Sequence, residues 1–450
     1  MLIWGMALSR IWAAFILVSI IVAGVRYVFV PADKEILSTM VTGRVGDTIR
    51  VAAKAPALGS AAPAPGFRIQ KADGIIQTCG NAVTLAIGLI GIMALFMGLV
   101  SIAEAAGGMR FLARITGPFF SRLFPDVPKG HPAMGHMVMN FSANLLGLDN
   151  AATPFALKAM ESLQEINPDK TRASNAQIMF LCLHQSGLQL IPVSVIALLA
   201  ANQASNPTDV FLPIVIATFL TTLASMSIVA VRQRINLFQP AVLVWMGSLS
   251  VLIGALVLYL RKLDSDGVQS FSRAFSSGLI LFIFLVIVGV ALYRKVNIFD
   301  SFVQGAKGGF ETAVRIIPYL VGMLAAISLL RTSGTFEVII DGLKHFFQLM
   351  GADTRFVDGL PTALIKPLTS AGARGMLVDT MKTFGHDSFA AHLSAILQGS
   401  SESTFYVAAV YFGSVAIRNT RYTIGAMLLA DLVSILSSIF LCYLFFGHLH

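Results

Sequence analysis

Cysteine is scarce in this chain of 450 residues, which holds only Cys79, Cys182 and Cys442. None stands in CxxC spacing, so the sequence encodes neither a disulfide framework nor a thiolate metal centre, and the three read as small apolar packing residues. Charge is thin as well. Asp, Glu, Lys and Arg make up 12% of the residues, against about 25% in soluble domains, which excludes an ordinary water-soluble fold. The 32 basic residues outnumber the 23 acidic ones, for a net charge of +9. No basic run is dense enough for a nucleic-acid surface, so the excess suits cytoplasmic loops and anionic headgroups instead. Signatures of catalysis are missing too. There is no phosphate loop and no nucleophile elbow, and Ser400 and Ser401 have no His/Asp companions in sequence. His131 and His136 stand five apart, where a helix needs four to place two ligands on one face. The expectation is no enzyme, no metal and no cofactor.

Apolar residues fill the space these absences leave. They make up 56% of the chain, mean hydropathy is +0.77, and windows of about 20 apolar residues recur along nearly the whole length, as a helical bundle in a bilayer requires. The reading is an all-α polytopic protein of about nine transmembrane helices, multi-pass in the inner (plasma) membrane. Residues 11–30 form a first span and signal anchor, and 31–74, rich in Ala, Pro and Gly, is a flexible connection. Residues 1–80 thus precede a first repeat at 81–235, connecting spans at 236–300 and a second repeat at 301–450. Within the connection, spans at 242–260 and 277–293 flank a charged loop at 261–273.

Two stretches organise the repeats. Residues 140–160, NFSANLLGLDNAATPFALKAM, carry Gly147, Asp149, Asn150, Thr153 and Pro154 inside an apolar frame, and residues 361–381, PTALIKPLTSAGARGMLVDTM, are interrupted in the same manner. Backbone freed by Gly and Pro at membrane depth must be buried in protein or line a wet cavity, so each stretch is expected to be a re-entrant hairpin. A discontinuous helix follows each one. The first spans 175–201, with His184, Gln185, Ser186, Gly187, Gln189 and Pro192 at its centre, and the second spans 392–417, broken at 399–403. Amphipathic segments at 109–124 and 335–350 complete the parallel, with Gly107 matching Gly334 and Ser186 matching Ser400. With the hairpins re-entrant, corresponding helices are five crossings apart. An odd separation makes the repeats inverted, and in that arrangement the binding site lies where the repeats meet. Arg232, Arg234, Arg294, Lys295, Arg418 and Arg421 favour a cytoplasmic N-terminus.

The candidate site residues lie in the interruptions. Glu402 leads, because a carboxylate within an apolar span costs at least about 2.5 kcal/mol on insertion scales, so it faces a cavity, a partner or an ion. Gly399, Ser400, Ser401, Ser403 and Thr404 surround it. Asp149 stands in the first interruption. Asn140, Asn144, Asn150 and Thr153 are suited to hydrogen-bonding a polar solute or to capping half-helices, and Ser186, Gln189 and Ser370 join the same expected cavity. Lys366 and Arg374 are suited either to attracting an anionic group or to snorkelling to headgroups. Asp431, inside the last span, reads as a helix contact or a coupling residue, and His184 as a packing residue or a proton carrier.

These residues also bring a family into view. NFSANLLGLDNAATPFALKAM, with LFPDVPKGHPAMG before it, resembles spore maturation protein A. KPLTSAGARG (366–375) and QGSSESTFYVAAVYFG (398–413) resemble spore maturation protein B. The two are joined here in one chain. Those proteins are similar to the Gate, or nucleoside-recognition, domains that concentrative nucleoside transporters share with the membrane part of ferrous iron transporter B. The resemblance implies a membrane protein linked in spore formers to dehydration of the spore core. Two functions are weighed: a secondary transporter or permease for a small polar solute, nucleoside-like and coupled to a proton or sodium ion, and a protein that modifies or scaffolds cell-wall (cortex peptidoglycan) assembly. Expected partners are the solute, the bilayer and a second copy of the chain in a homo-oligomer, with no nucleic acid.

Overall fold

The computed structural model describes residues 2–30, 34–43, 74–128, 130–145, 149–260, 262–263 and 265–449. Every element among them is helical, apart from one isolated parallel bridge between Arg172 and Asn419. Helices α1 (Leu2–Phe29) and α2 (Ile36–Thr42) come first. The flexible connection expected at 31–74 lies mostly outside the described residues. A first series follows: α3 (Ile75–Ala105), α4 (Gly108–Leu123), α5 (Pro132–Leu145), α6 (Asp149–Glu165), α7 (Asn175–Ser186), α8 (Val193–Ala201) and α9 (Phe211–Gln233). After α10 (Pro240–Leu260) and α11 (Ser265–Tyr293) the same order returns. It comprises α12 (Ile298–Thr332), α13 (Thr335–Leu349), α14 (Leu360–Ile365), α15 (Ser370–Phe384), α16 (Phe389–Gly399), α17 (Thr404–Val407) with a π-helical turn at Ala408–Phe412, and α18 (Thr423–Phe446).

The interruptions fall where the sequence places them. Helix ends at Leu145 and Ile365 precede restarts at Asp149 and Ser370, and α7 and α16 stop at Ser186 and Gly399 before α8 and α17 resume. Local chemistry sets several of these limits. Ser174 and Gln177 cap α7 reciprocally, with Gln177 N donating to Ser174 Oγ at 3.2 Å and Ser174 N to Gln177 Oε1 at 2.9 Å. Ser388 caps α16 by accepting from Ala391 N at 3.1 Å. Gly107 and Gly334 both sit in the left-handed region, φ 82° and 76°, where each long helix turns into its amphipathic successor. A side chain at that φ is strained, so the matched glycines mark the same turn made twice.

Equivalent helices meet each other. The most extensive contact in the molecule joins α3 to α12, and α9 packs along α18. Close approach explains the first: a Cβ added at Gly305 would stand 2.3 Å from Met97 O, and one at Gly309 2.6 Å from Met93 O. Without side chains at these two positions, four residues apart, the backbones touch, as small residues allow between membrane helices. One large core cluster spans both series, joining residues of α8, α9, α16 and α18.

Some boundaries differ from the sequence reading. Thr153 and Pro154 belong to the helix and not to the break, because Pro154 lies inside the first turns of α6. The charged loop expected at 261–273 is helical from Ser265 onward. Helix α12 begins at Ile298, where Asn297 Oδ1 accepts from Asp300 N at 3.3 Å and caps a start more polar than a hydropathy window favours. Among the described residues, five continuous helices are long and apolar enough to cross a membrane: Trp12–Phe29, Ile75–Ala105, Phe211–Gln233, Val242–Tyr259 and Thr423–Phe446. The broken pairs α7/α8 and α16/α17 fall short of that length singly. The chain is a polytopic helical membrane protein.

Candidate functional site

Backbone hydrogen bonds tie the broken elements to one another. Within the first series, Leu190 N in the α7–α8 break donates to Leu145 O at the end of α5, at 2.8 Å; within the second, Phe405 N donates to Pro367 O at 2.9 Å. The same pairing is thus made twice. A third bond crosses between the series, from Glu402 N to Gln185 O at 2.7 Å. Gly187, at φ 54°, brings the α7 terminus so close to Glu402 that an added Cβ would lie 3.9 Å from Glu402 Cγ.

Between the breaks lies a cavity of about 20 Å³, room for about one water molecule. Gln189, Pro192, Ser194 and Val195 line it from the first series, and Ser370 and Arg374 from α15. Gln398, Gly399, Ser401 and Glu402 close it from the break after α16. Of the residues singled out in the sequence, Gln189, Ser370, Arg374, Ser401 and Glu402 therefore share one space. Ser370 Oγ reaches both Glu402 Oε2, at 3.2 Å, and the Ser403 hydroxyl, at 2.7 Å, so Ser403 supports the wall from behind. Two polar atoms of the lining, Arg374 Nε and Gln398 Oε1, are buried without a hydrogen-bond partner. A donor and an acceptor left over at one cavity are what a polar solute would satisfy.

Other candidates lie elsewhere. Asn140 and Asn144 belong to a separate buried cluster, in which His184 Nδ1 lies 3.1 Å from both Asn144 Nδ2 and Asn140 Oδ1. One tautomer accepts from Asn144 and the other donates to Asn140. Asn140 Nδ2 also donates to Ala152 O at 2.8 Å, tying α5 to α6. The Ser186 hydroxyl is spent on Leu183 O at 2.8 Å, and the Ser400 hydroxyl on Leu397 O at 2.9 Å. Neither serine lines the cavity, nor does Thr153. Asp149 and Asn150 open α6, but their side chains lie outside the described residues. Lys366 departs from both readings given to it. It is buried, so it does not snorkel, and its ammonium donates to Leu397 O at 2.6 Å and to Gln398 O rather than to an anionic group.

Asp431 is the residue whose part the sequence understated. Its carboxylate accepts from Gln185 Nε2 at 2.6 Å, from Thr404 Oγ1 at 2.6 Å and from Ser401 Oγ at 3.0 Å. One buried acidic group on α18 thereby fixes the end of α7 in the first series and both sides of the break in the second. The signal was a lone Asp in an apolar 24-residue helix, and its partners were legible only as polar residues beside the two breaks. Gln398 was overlooked as well, although it stands immediately before the second break.

Two segments, 86–202 and 313–418, match the Gate family model, described as nucleoside recognition. The chain is 43% identical over 166 residues to spore maturation protein B of Bacillus subtilis (strain 168), an alignment covering 36% of this chain and 92% of that protein. It is 38% identical over 156 residues to spore maturation protein A of the same organism, covering 35% of this chain and 80% of that protein. No solved structure matches.

Proposed function

Since this chain belongs to the nucleoside-recognition (Gate) family and is homologous to spore maturation proteins A and B, we propose that it is a secondary transporter or permease for a small polar solute. The observation that carries the reading is the cavity between the two series, lined by broken helices from both, two of whose lining residues, Arg374 and Gln398, carry a buried polar atom without a partner. Nucleoside-like solutes, with hydroxyls and amide-like ring edges, have complementary chemistry. In this reading the two series are inverted repeats. The hairpins α5/α6 and α14/α15 are re-entrant, and the discontinuous helices α7/α8 and α16/α17 face each other near the bilayer midplane. The repeated element order, the five crossings from one series to the next and the contact of equals with equals support it. The room for about one water implies a closed conformation, so a solute enters only when the two series part. The plasma membrane is the proposed location, and a role in spore maturation comes from the names of the relatives.

Purified protein, screened by thermal stabilisation against nucleosides, nucleobases and other small polar solutes and then assayed for flux in proteoliposomes, tests this. A solute that both stabilises the protein and crosses the bilayer is the expected result. Glu402→Gln keeps the shape of the side chain and removes its charge. It should lower flux by about tenfold or more, the loss of roughly one charge-assisted hydrogen bond, while leaving thermal stability close to wild type. Wild-type flux in the Gln variant would remove Glu402 from the solute site.

A further inference from the structure

A helix that stops inside a membrane leaves its last carbonyls without partners, and in transporters with broken helices those C-terminal carbonyls hold the coupling cation. The two series meet this requirement differently. At the end of α7 the chain supplies neutral donors: Ser186 Oγ to Leu183 O at 2.8 Å, Gly187 N to His184 O at 3.2 Å, and Ser225 Oγ to Cys182 O at 2.8 Å. At the end of α16, Ser400 Oγ shares Leu397 O with the Lys366 ammonium, which also takes Gln398 O. Lys366 is 5% exposed and comes from the break between α14 and α15. Glu402, Asp431 and Arg374 are its charged neighbours.

We propose that Lys366 is a tethered cation that fills, at the end of α16, the place a free alkali cation takes at a broken transporter helix. The protein consequently needs no sodium ion at this break. Calling the position a coupling-ion site rests on the transport reading, but the occupancy of the carbonyls by a built-in cation does not. Lys366→Ala empties the place without adding a charge or a clash. A small cation then has two carbonyls, the Ser400 hydroxyl and the nearby carboxylates to bind.

The test is a cation titration of thermal stability in detergent at constant ionic strength, comparing sodium, ethylammonium and choline chlorides on wild type, Lys366→Ala and Lys366→Met. Wild type is expected to be indifferent to which cation is present. Lys366→Ala should melt on the order of 5 °C lower, and sodium or ethylammonium, but not choline, should restore much of the loss. Lys366→Met fills the space with an uncharged stem, so it should be destabilised without rescue. Sodium-specific stabilisation of the wild type would overturn the proposal, as would a Lys366→Ala protein that is fully stable in choline or rescued equally by all three salts. Should Lys366→Ala not fold, the wild-type titration still decides. A protein that shows the rescue pattern yet carries no solute in proteoliposomes refutes the transport reading and leaves the tethered cation standing.

Discussion

At the break between α7 and α8 the buried polar groups are neutral: His184, Asn140, Asn144 and Gln185, with Gly187 making the turn. At the break between α16 and α17 they are charged, with Lys366 on the carbonyls, Glu402 at the cavity and Asp431 behind it. Both breaks solve the same problem, an unsatisfied helix end in a medium without water. Neutral donors satisfy the α7 end, most of them from its own series and one, Glu402 N on Gln185 O, from the other. Among the charged groups, the Asp431 carboxylate also reaches into the other series, through Gln185. The second series thus carries the bonds that hold the two together at the site, and a change of charge there acts on both.

Removing one hydrogen-bonding side chain from each side tests that difference. Asp431→Ala takes the carboxylate acceptor from Ser401 Oγ and Thr404 Oγ1 and leaves Gln185 Nε2 with Glu402 O alone, at 3.3 Å, and should destabilise the protein by about 3–5 kcal/mol, as loss of one member of a buried polar network does. Asp431→Asn keeps one acceptor oxygen and should lose less. Asn144→Ala in the neutral cluster leaves only the His184 contact unmade and should cost about 1–2 kcal/mol. Unfolding in detergent, followed by helix signal against denaturant, measures all three. Equal losses for Asp431→Ala and Asn144→Ala would erase the distinction between the halves.

A smaller contrast concerns the glycines at the two breaks. Gly399 is helical, but a Cβ there would meet the Ile214 side chain at 2.8 Å, so Gly399→Ala overpacks the contact with α9 and should cost about 1–3 kcal/mol. Gly187 has space around it and a φ of 54°, so Gly187→Ala brings backbone strain of about 1–2 kcal/mol without a clash. The two can be separated by a second change. Ile214→Ala, which removes both γ carbons and the δ carbon that a Cβ at Gly399 would meet, should relieve the Gly399 variant and leave the Gly187 variant as it was.

Breaks were legible in the sequence because they rest on local chemistry: Gly187 and the run from Gly399 to Ser403 interrupt apolar spans wherever the chain goes afterwards. Pro154 misled for a local reason as well, since proline is tolerated near the start of a helix and the break had already been made before Asp149. The partners were not legible. Gln185 and Asp431 are 246 residues apart, and nothing near either one names the other. Lys366 could be recognised as costly in a membrane, but not as the group that satisfies Leu397 O and Gln398 O, because that depends on α14 returning beside α16. Asn140 and Asn144 were assigned to the central cavity from their sequence proximity to the first break. Asn144 is the last residue but one of α5 and Asn140 stands a turn earlier, and on that helix both meet His184.

The smallest effect is expected far from the breaks, where the series touch through the bridge of Arg172 and Asn419. Thr171 O accepts from Arg418 N at 2.9 Å and from Asn419 N at 3.0 Å, and Asn419 O accepts from Ala173 N at 2.9 Å. Asp169 shapes this loop, with its Oδ1 accepting from Thr171 N at 3.0 Å and from Thr171 Oγ1 at 2.9 Å. The Thr171 N–H, and after it the Thr171 hydroxyl, hold the Asp169 carboxyl below its ordinary value. A depressed carboxyl favours the folded state while it is ionised. Its contribution is therefore present above the unfolded-state value, about pH 4, and is lost as pH falls through the folded one. Other carboxylates titrate in the same window, so the informative quantity is the difference in melting temperature between wild type and Asp169→Asn. That difference should be small and positive near neutral pH and should shrink toward zero in acid. Asp169 is fully exposed, and solvent screening keeps its share below those of the buried groups. A difference that stays constant with pH would mean that the carboxylate's charge contributes nothing to the bridge and that the loop is held by its backbone alone.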